Sequence, residues 1–351
     1  MDNTTRYAAI NTKIRAMESS LLSVEDYLQL IEKQSVEEVA EYLKKKTGYK
    51  EVLKDIDSHS VHRGTLESII KQNMIFNIDK IIHYFNGEYK RFIYTLYARF
   101  EIEELKTIAR AVYNKEDTGK YKGSVFIGKY SGVDTNKIFD AKLVRDIIFA
   151  LEGSEFYRYL LPLIDNNVSE NLFRFEMVLD LSYYDLLKKA WSKLSKQDIK
   201  ILEQSQGLIA DLLNLQWIYR GIKFYRLQPE ILLNYTIRLG HRLDFSTIKR
   251  LCYSRDLNEF YEYAQQTKYS FLFKNDGTTD IFMERRLDRH IYFEIKALVR
   301  TYGMSIITTF AYVLFLEFEV RDIIAITEAI RYKVPKEEAR KYLIRKLREG
   351  T

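Results

Sequence analysis

Several groups of residues in this chain have the types and spacings that chemistry uses, and each also admits a structural role. Gly123-Ser-Val-Phe-Ile-Gly128-Lys129-Tyr130 has the glycine and lysine spacing of a phosphate-cradling loop. Such a loop needs Ser or Thr after the lysine, to place a hydroxyl on magnesium, and it must join a strand to a helix. Tyr130 fills that position and the intervening residues are mostly bulky and apolar, so the segment reads as a linker. His59 and His62 lie beside Asp55 and Asp57, but in a polar, turn-like stretch with no helical register to fix a tetrahedral ligand set. That stretch reads as a solvated loop. The carboxylate pairs Glu101/Glu104 and Glu319/Asp322 each share a helix flank, the arrangement acid–base work would need. The acid recurs along the chain, however, and Asn214 replaces it once, so these side chains are expected to bond helix ends or arginines. Cys252 has no histidine at short range and no Gly-x-Ser-x-Gly elbow is present. The sequence therefore names no catalytic, cofactor-binding or metal-ligating residue, and no residue assigned to a partner.

The elements that carry these residues follow from composition and periodicity. With only 3 prolines and 14 glycines in 351 residues, long uninterrupted helices are favoured over a turn-rich sandwich. Hydrophobic residues make up 46% of the chain, ample for a core. One cysteine cannot form an internal disulfide, and the start MDNTTRYAAI lacks the apolar stretch of a secretory signal, which together suggest a cytoplasmic setting. The net charge of +6 is too mild to imply a nucleic-acid partner. It is concentrated between Arg331 and Glu349, where eight basic residues face three glutamates. A final helix is expected to open at Pro335 with Ala339, Tyr342, Leu343 and Leu347 on one face, its basic side solvated or turned to acidic protein or anionic lipid headgroups. The longest uncharged run, Thr301 to Leu316, is 16 residues and falls short of the ~20 that span a bilayer, so it reads as a buried core helix.

Internal similarity organises the rest. Glu101-x-x-Glu104-Leu105-x-x-Ile108-x-x-Ala111-Val112 recurs as Asp211-x-x-Asn214-Leu215-x-x-Ile218-x-x-Gly221-Ile222. It recurs again as Glu319-x-x-Asp322-Ile323-x-x-Ile326-x-x-Ala329-Ile330. The aliphatics fall at i, i+3 and i+7, one stripe of a 3.6-residue helix. Two further elements keep the same order. One is Glu38-Val39-x-x-Tyr42, Glu155-Phe156-x-x-Tyr159 and Glu259-Phe260-x-x-Tyr263. The other is Ile78-Asp79, Leu179-Asp180 and Leu287-Asp288, the last two preceded by Glu176 and Glu284. The expected fold is all-α, with helical-bundle repeats at 1–118, 119–228 and 229–351, the last ending in the basic helix. The glycine-bearing stretch Asn114 to Asn136 and Gln228-Pro229 mark the breaks.

The chain resembles a known family. Its start, Tyr7-Ala-Ala-Ile-Asn-Thr-Lys-Ile-Arg-Ala-Met17, then Leu22-Ser23-x-Glu25-Asp26-Tyr27 and Thr47-Gly48-Tyr49, are similar to the C subunit of archaeal-type (A/V-type) rotary ATPases, whose eukaryotic counterpart is the d subunit of the V-ATPase. So are Phe175-Glu176-x-x-Leu179-Asp180-x-x-Tyr183-Tyr184-x-x-Leu187 and the block from Glu317 to Ile330. The resemblance covers essentially the whole chain. It implies a funnel-shaped, pseudo-threefold, non-catalytic rotor part on the cytoplasmic face of the membrane. Such a part links the central stalk subunits to the proteolipid ring during proton or sodium transport, with no cofactor, nucleic acid or small-molecule ligand. The alternative is a helical-repeat scaffold bridging cytosolic partners.

Overall fold

The computed structural model describes residues 3–58, 61–122, 127–128, 133–164, 172–273 and 277–345. Every regular element among them is helical. In chain order these are α1 (Asn3–Glu18), α2 (Val24–Ile31), α3 (Val36–Lys46), α4 (Lys50–Leu53), α5 (Arg63–Ile82) and α6 (Gly87–Tyr113). Next come α7 (Thr135–Phe139), α8 (Val144–Ala150), α9 (Tyr157–Leu160), α10 (Leu172–Trp191) and α11 (Lys196–Arg220). The remainder are α12 (Pro229–Asn234), α13 (Phe245–Cys252), α14 (Leu257–Gln265), α15 (Thr279–Thr301), α16 (Ile306–Arg331) and α17 (Lys336–Lys341).

Side-chain caps start seven of these helices. Side-chain oxygens of Ser23, Ser35, Asp134, Ser195, Asp244, Asp256 and Ser305 accept backbone N–H groups of the first turns of α2, α3, α7, α11, α13, α14 and α16. Each satisfies a donor that the helix cannot satisfy internally, worth about 1 kcal/mol. Pro229 occupies the first turn of α12, where its missing N–H costs nothing.

Helix α16 is the centre of the molecule. It packs against α1, α2, α3, α5, α11, α15 and α17, and every residue from Ile306 to Val320 is buried. Of the run Thr301 to Leu316 only Ser305 to Leu316 is buried throughout, and the run is not one helix. It is broken at Tyr302–Ser305, where Gly303 O accepts from Asn11 Nδ2 (2.6 Å) and Thr308 Oγ1 (2.8 Å), and Ser305 then caps α16. No helix among the described residues is long and apolar enough to cross a membrane.

The C-terminal segment also differs from expectation. After Pro335 the helix stops at Lys341, and Leu343 and Ile344 leave it to lie buried against α16. The reason is competition for the backbone. Asp322 Oδ1 takes the Ile344 N–H at 2.7 Å, and Arg289 donates to Leu343 O, so the chain is pinned in a non-helical turn. Leu347 lies outside the described residues.

Candidate functional site

The candidate site is a set of buried carboxylates that tie the three longest helices, α6, α11 and α16, to each other and to their neighbours. The first is Asp198, which has no solvent exposure at the start of α11. Its Oδ2 accepts from Tyr7 (2.8 Å), Tyr89 (2.6 Å) and Ser195 (2.7 Å) hydroxyls, and its Oδ1 accepts the Ile306 N–H at 3.1 Å. Tyr89 lies in the first turn of α6 and Ile306 begins α16. One carboxylate thus gathers the N-terminal ends of all three long helices, plus α1. Hydrogen bonds to a charged acceptor contribute about 1.5–3 kcal/mol each, and an anion at converging helix N-termini is favoured by their dipoles.

Each long helix then sends an acidic residue outward from its middle to a neighbouring chain turn. Glu319 on α16 accepts the Leu22 N–H (2.6 Å) and the Tyr49 hydroxyl (2.9 Å). Asp211 on α11 accepts the Arg242 and Leu243 N–H groups (2.6 and 3.2 Å) and the Tyr269 hydroxyl (2.9 Å). Glu101 on α6 accepts the Gly128 N–H at 2.8 Å. Leu22 and Leu243 each precede a helix cap, and Tyr49 and Tyr269 each follow a Thr-x step, so two of the three anchors match partner for partner. Close approach at Asp211 requires glycine. A Cβ at Gly207 would lie 3.0 Å from His241 Cβ, and one at Gly240 would strike Leu243 O. Asn214, which replaces the second acid, bridges the Ile237 backbone with both ends of its amide (2.7 and 2.9 Å).

Ion pairs repeat the pattern between long helices and their neighbours. Arg110 on α6 meets Glu176 on α10 (2.7 Å), Arg220 on α11 meets Glu284 on α15 (3.5 Å), and Glu328 on α16 meets Arg63 on α5 (2.5 Å). Deeper in, Arg99 on α6 pairs with Glu317 on α16, whose other oxygen meets Arg321 at 2.6 Å, and Arg321 reaches Asp288 on α15 at 3.2 Å. Burial pushes the Glu317 carboxyl up, but Arg99 and Arg321 outweigh it and hold it below its ordinary value. Lys106 is treated similarly: burial lowers its value, yet Asp180 (2.9 Å) and Glu103 raise it above the usual range.

Glu319 and Asp322 behave differently, because backbone and tyrosine donors dominate their surroundings. Burial raises Glu319 to about 7 and Asp322 to about 6. A carboxyl such as Glu319, raised above its ordinary 4.5, contributes stability that is complete below 4.5 and is lost as pH rises through about 7. Glu319→Gln keeps an acceptor without the charge. Between about pH 5 and pH 8 the wild-type unfolding midpoint is therefore expected to fall relative to this variant, by roughly 3 kcal/mol in stability. Thermal unfolding of both proteins across that pH range checks this, and parallel curves would contradict it.

Among the residues the sequence singles out, Glu101, Glu319 and Asp322 do bond helix ends and turns, as expected. Gly128 adopts φ +82° and serves Glu101, while Lys129 and Tyr130 lie outside the described residues, so the loop-like motif is observed only at its glycine. His62 precedes α5 at its cap position and His59 is outside the described residues. Cys252 is buried, and burial pushes its thiol up to about 12. Among the described residues no group of three or more His, Cys, Asp or Glu could hold a metal ion. Asp198, Arg99 and Arg321 do not stand out in the sequence, although Ser195-x-x-Asp198 is a helix-start signature.

Known proteins share this chain's sequence pattern over most of its length. The family described as ATP synthase (C/AC39) subunit matches residues 10–342. The chain is 26% identical to the A-type ATP synthase C subunit of Methanosarcina mazei over 264 residues, covering 75% of this chain and 71% of that protein. It is 23% identical to the protein of the same name from Methanocaldococcus jannaschii, over 96% of this chain and 86% of the relative. With that of Thermococcus onnurineus the identity is 25%, over 93% and 87%.

Proposed function

The chain belongs to the ATP synthase (C/AC39) subunit family, and from that premise we propose that it is the non-catalytic central-stalk part of an A/V-type ATP synthase. In this reading it joins the rotating shaft to the membrane ring of proteolipid subunits and transmits torque for proton or sodium transport. It sits peripherally on the cytoplasmic face.

The observation that carries the proposal is the convergence of α6, α11 and α16 on Asp198, with outward anchors at Glu101, Asp211 and Glu319. We read this as a pseudo-threefold funnel whose units span 1–118, 119–228 and 229–351. The Glu319 anchor and the Arg63–Glu328 pair support a closed arrangement, because they bind the first unit to the last. A shaft that contacts many identical ring hairpins needs an adaptor that does not deform. Dense cores resist compression, and ion pairs bridging adjacent helices resist shear between them. A tagged copy expressed in its native host is expected to co-purify with stalk and ring subunits of the ATP synthase. Recovery with unrelated cytosolic proteins alone would favour a scaffold.

A further inference from the structure

A cleft of about 280 Å³ lies between α1, α5 and the Gly48–Val52 turn, with Tyr312, Leu316 and Glu319 of α16 on its floor. Its walls hold two lysines, Lys13 on α1 and Lys80 on α5, and two carboxamides, Asn73 and Asn77. Lys80 Nζ donates to Asn77 Oδ1 (3.1 Å) and Asn77 Nδ2 donates to Asn73 Oδ1 (3.3 Å). This relay engages both amide oxygens, and the ammonium and amide N–H groups give the walls donors and positive charge.

The acids present do not neutralise them. Glu319 commits its oxygens to Leu22 and Tyr49, Glu51 stands exposed at the rim, and neither lysine forms an ion pair among the described residues. Burial, and then repulsion from Lys13, lower the Lys80 ammonium from its ordinary value. Two ammonium groups lining one cleft, with no ion-pair partner among the described residues, give it the charge and the donors that an anion takes.

We propose that this cleft binds a phosphate-type oxyanion between Lys13 and Lys80, oriented by the Asn73 and Asn77 amides. Phosphate suits the site because it presents mainly acceptors at neutral pH and can take both ammonium groups at once. The volume of about 280 Å³ admits a phosphate or pyrophosphate group.

The test uses the full chain and a Lys13→Gln/Lys80→Gln variant, with thermal unfolding and calorimetry in sodium pyrophosphate against sodium chloride at matched ionic strength. Pyrophosphate is expected to raise the wild-type unfolding midpoint. The variant should bind pyrophosphate about tenfold more weakly or worse, the loss of roughly 1.4 kcal/mol. Equal stabilisation of both proteins, or of neither, would overturn the proposal. Sedimentation with phosphatidic acid vesicles against phosphatidylcholine vesicles distinguishes the phosphate's source. Lysine-dependent retention on the former assigns it to a lipid headgroup, whereas pyrophosphate binding without retention assigns it to a free anion.

Discussion

Replacing Asp198 by alanine is expected to lower the stability of the isolated chain by about 3–5 kcal/mol, the cost of breaking a buried, multiply bonded charged centre. The substitution leaves the Tyr7 and Tyr89 hydroxyls, the Ser195 hydroxyl and the Ile306 N–H without the fully buried carboxylate that accepts from them. Because these donors come from α1, α6, the α11 cap and α16, the loss should loosen the joint rather than one helix. Asp198→Asn retains one oxygen and should cost less. Urea denaturation of the three proteins measures the order, and an alanine variant within about 1 kcal/mol of wild type would contradict this role for Asp198.

An effect of similar size is expected at Ile326, 1% exposed on the aliphatic stripe of α16. An aspartate there has no cationic partner in the stripe of Ile323 and Ile330, and stranding it among apolar side chains should cost several kcal/mol. Ile326→Val, which removes only a methylene, should cost about 1 kcal/mol. Circular dichroism and denaturation report both. Near-native stability of the aspartate variant would mean that the stripe does not face the core.

How much of this is legible in the sequence differs by element. The stripes at Leu105, Leu215 and Ile323 are readable because burial on one helix face imposes a period that few residues can mask. All three lie on long helices, and all three leucine or isoleucine side chains are fully buried. The anchoring role of the recurring acids is readable only in kind. Leu22, the partner of Glu319, lies 297 positions away and Gly128, the partner of Glu101, lies 27 away, and no local spacing encodes either contact. Asp198 is hidden for a related reason. Its helix-start signature is local, but its importance comes from Tyr7, Tyr89 and Ile306, which only the folded chain brings together. The run Thr301 to Leu316 looks like one helix because hydropathy does not register a break made by Asn11 reaching Gly303 from α1. The C-terminal helix reads longer in sequence than it is, because capture of Ile344 by Asp322 outweighs the helix propensity of the basic residues around it.

The most direct test of the central claim is a reconstituted membrane ATP synthase assembled with and without this chain. ATP hydrolysis by the soluble motor and ion movement across the membrane are measured on the same preparation. Without the chain, hydrolysis should continue while ATP-driven ion movement falls to background, and adding the purified chain back should restore it. Ion movement at normal coupling in its absence, or loss of hydrolysis by the soluble motor alone, would contradict the proposal that it joins shaft to ring.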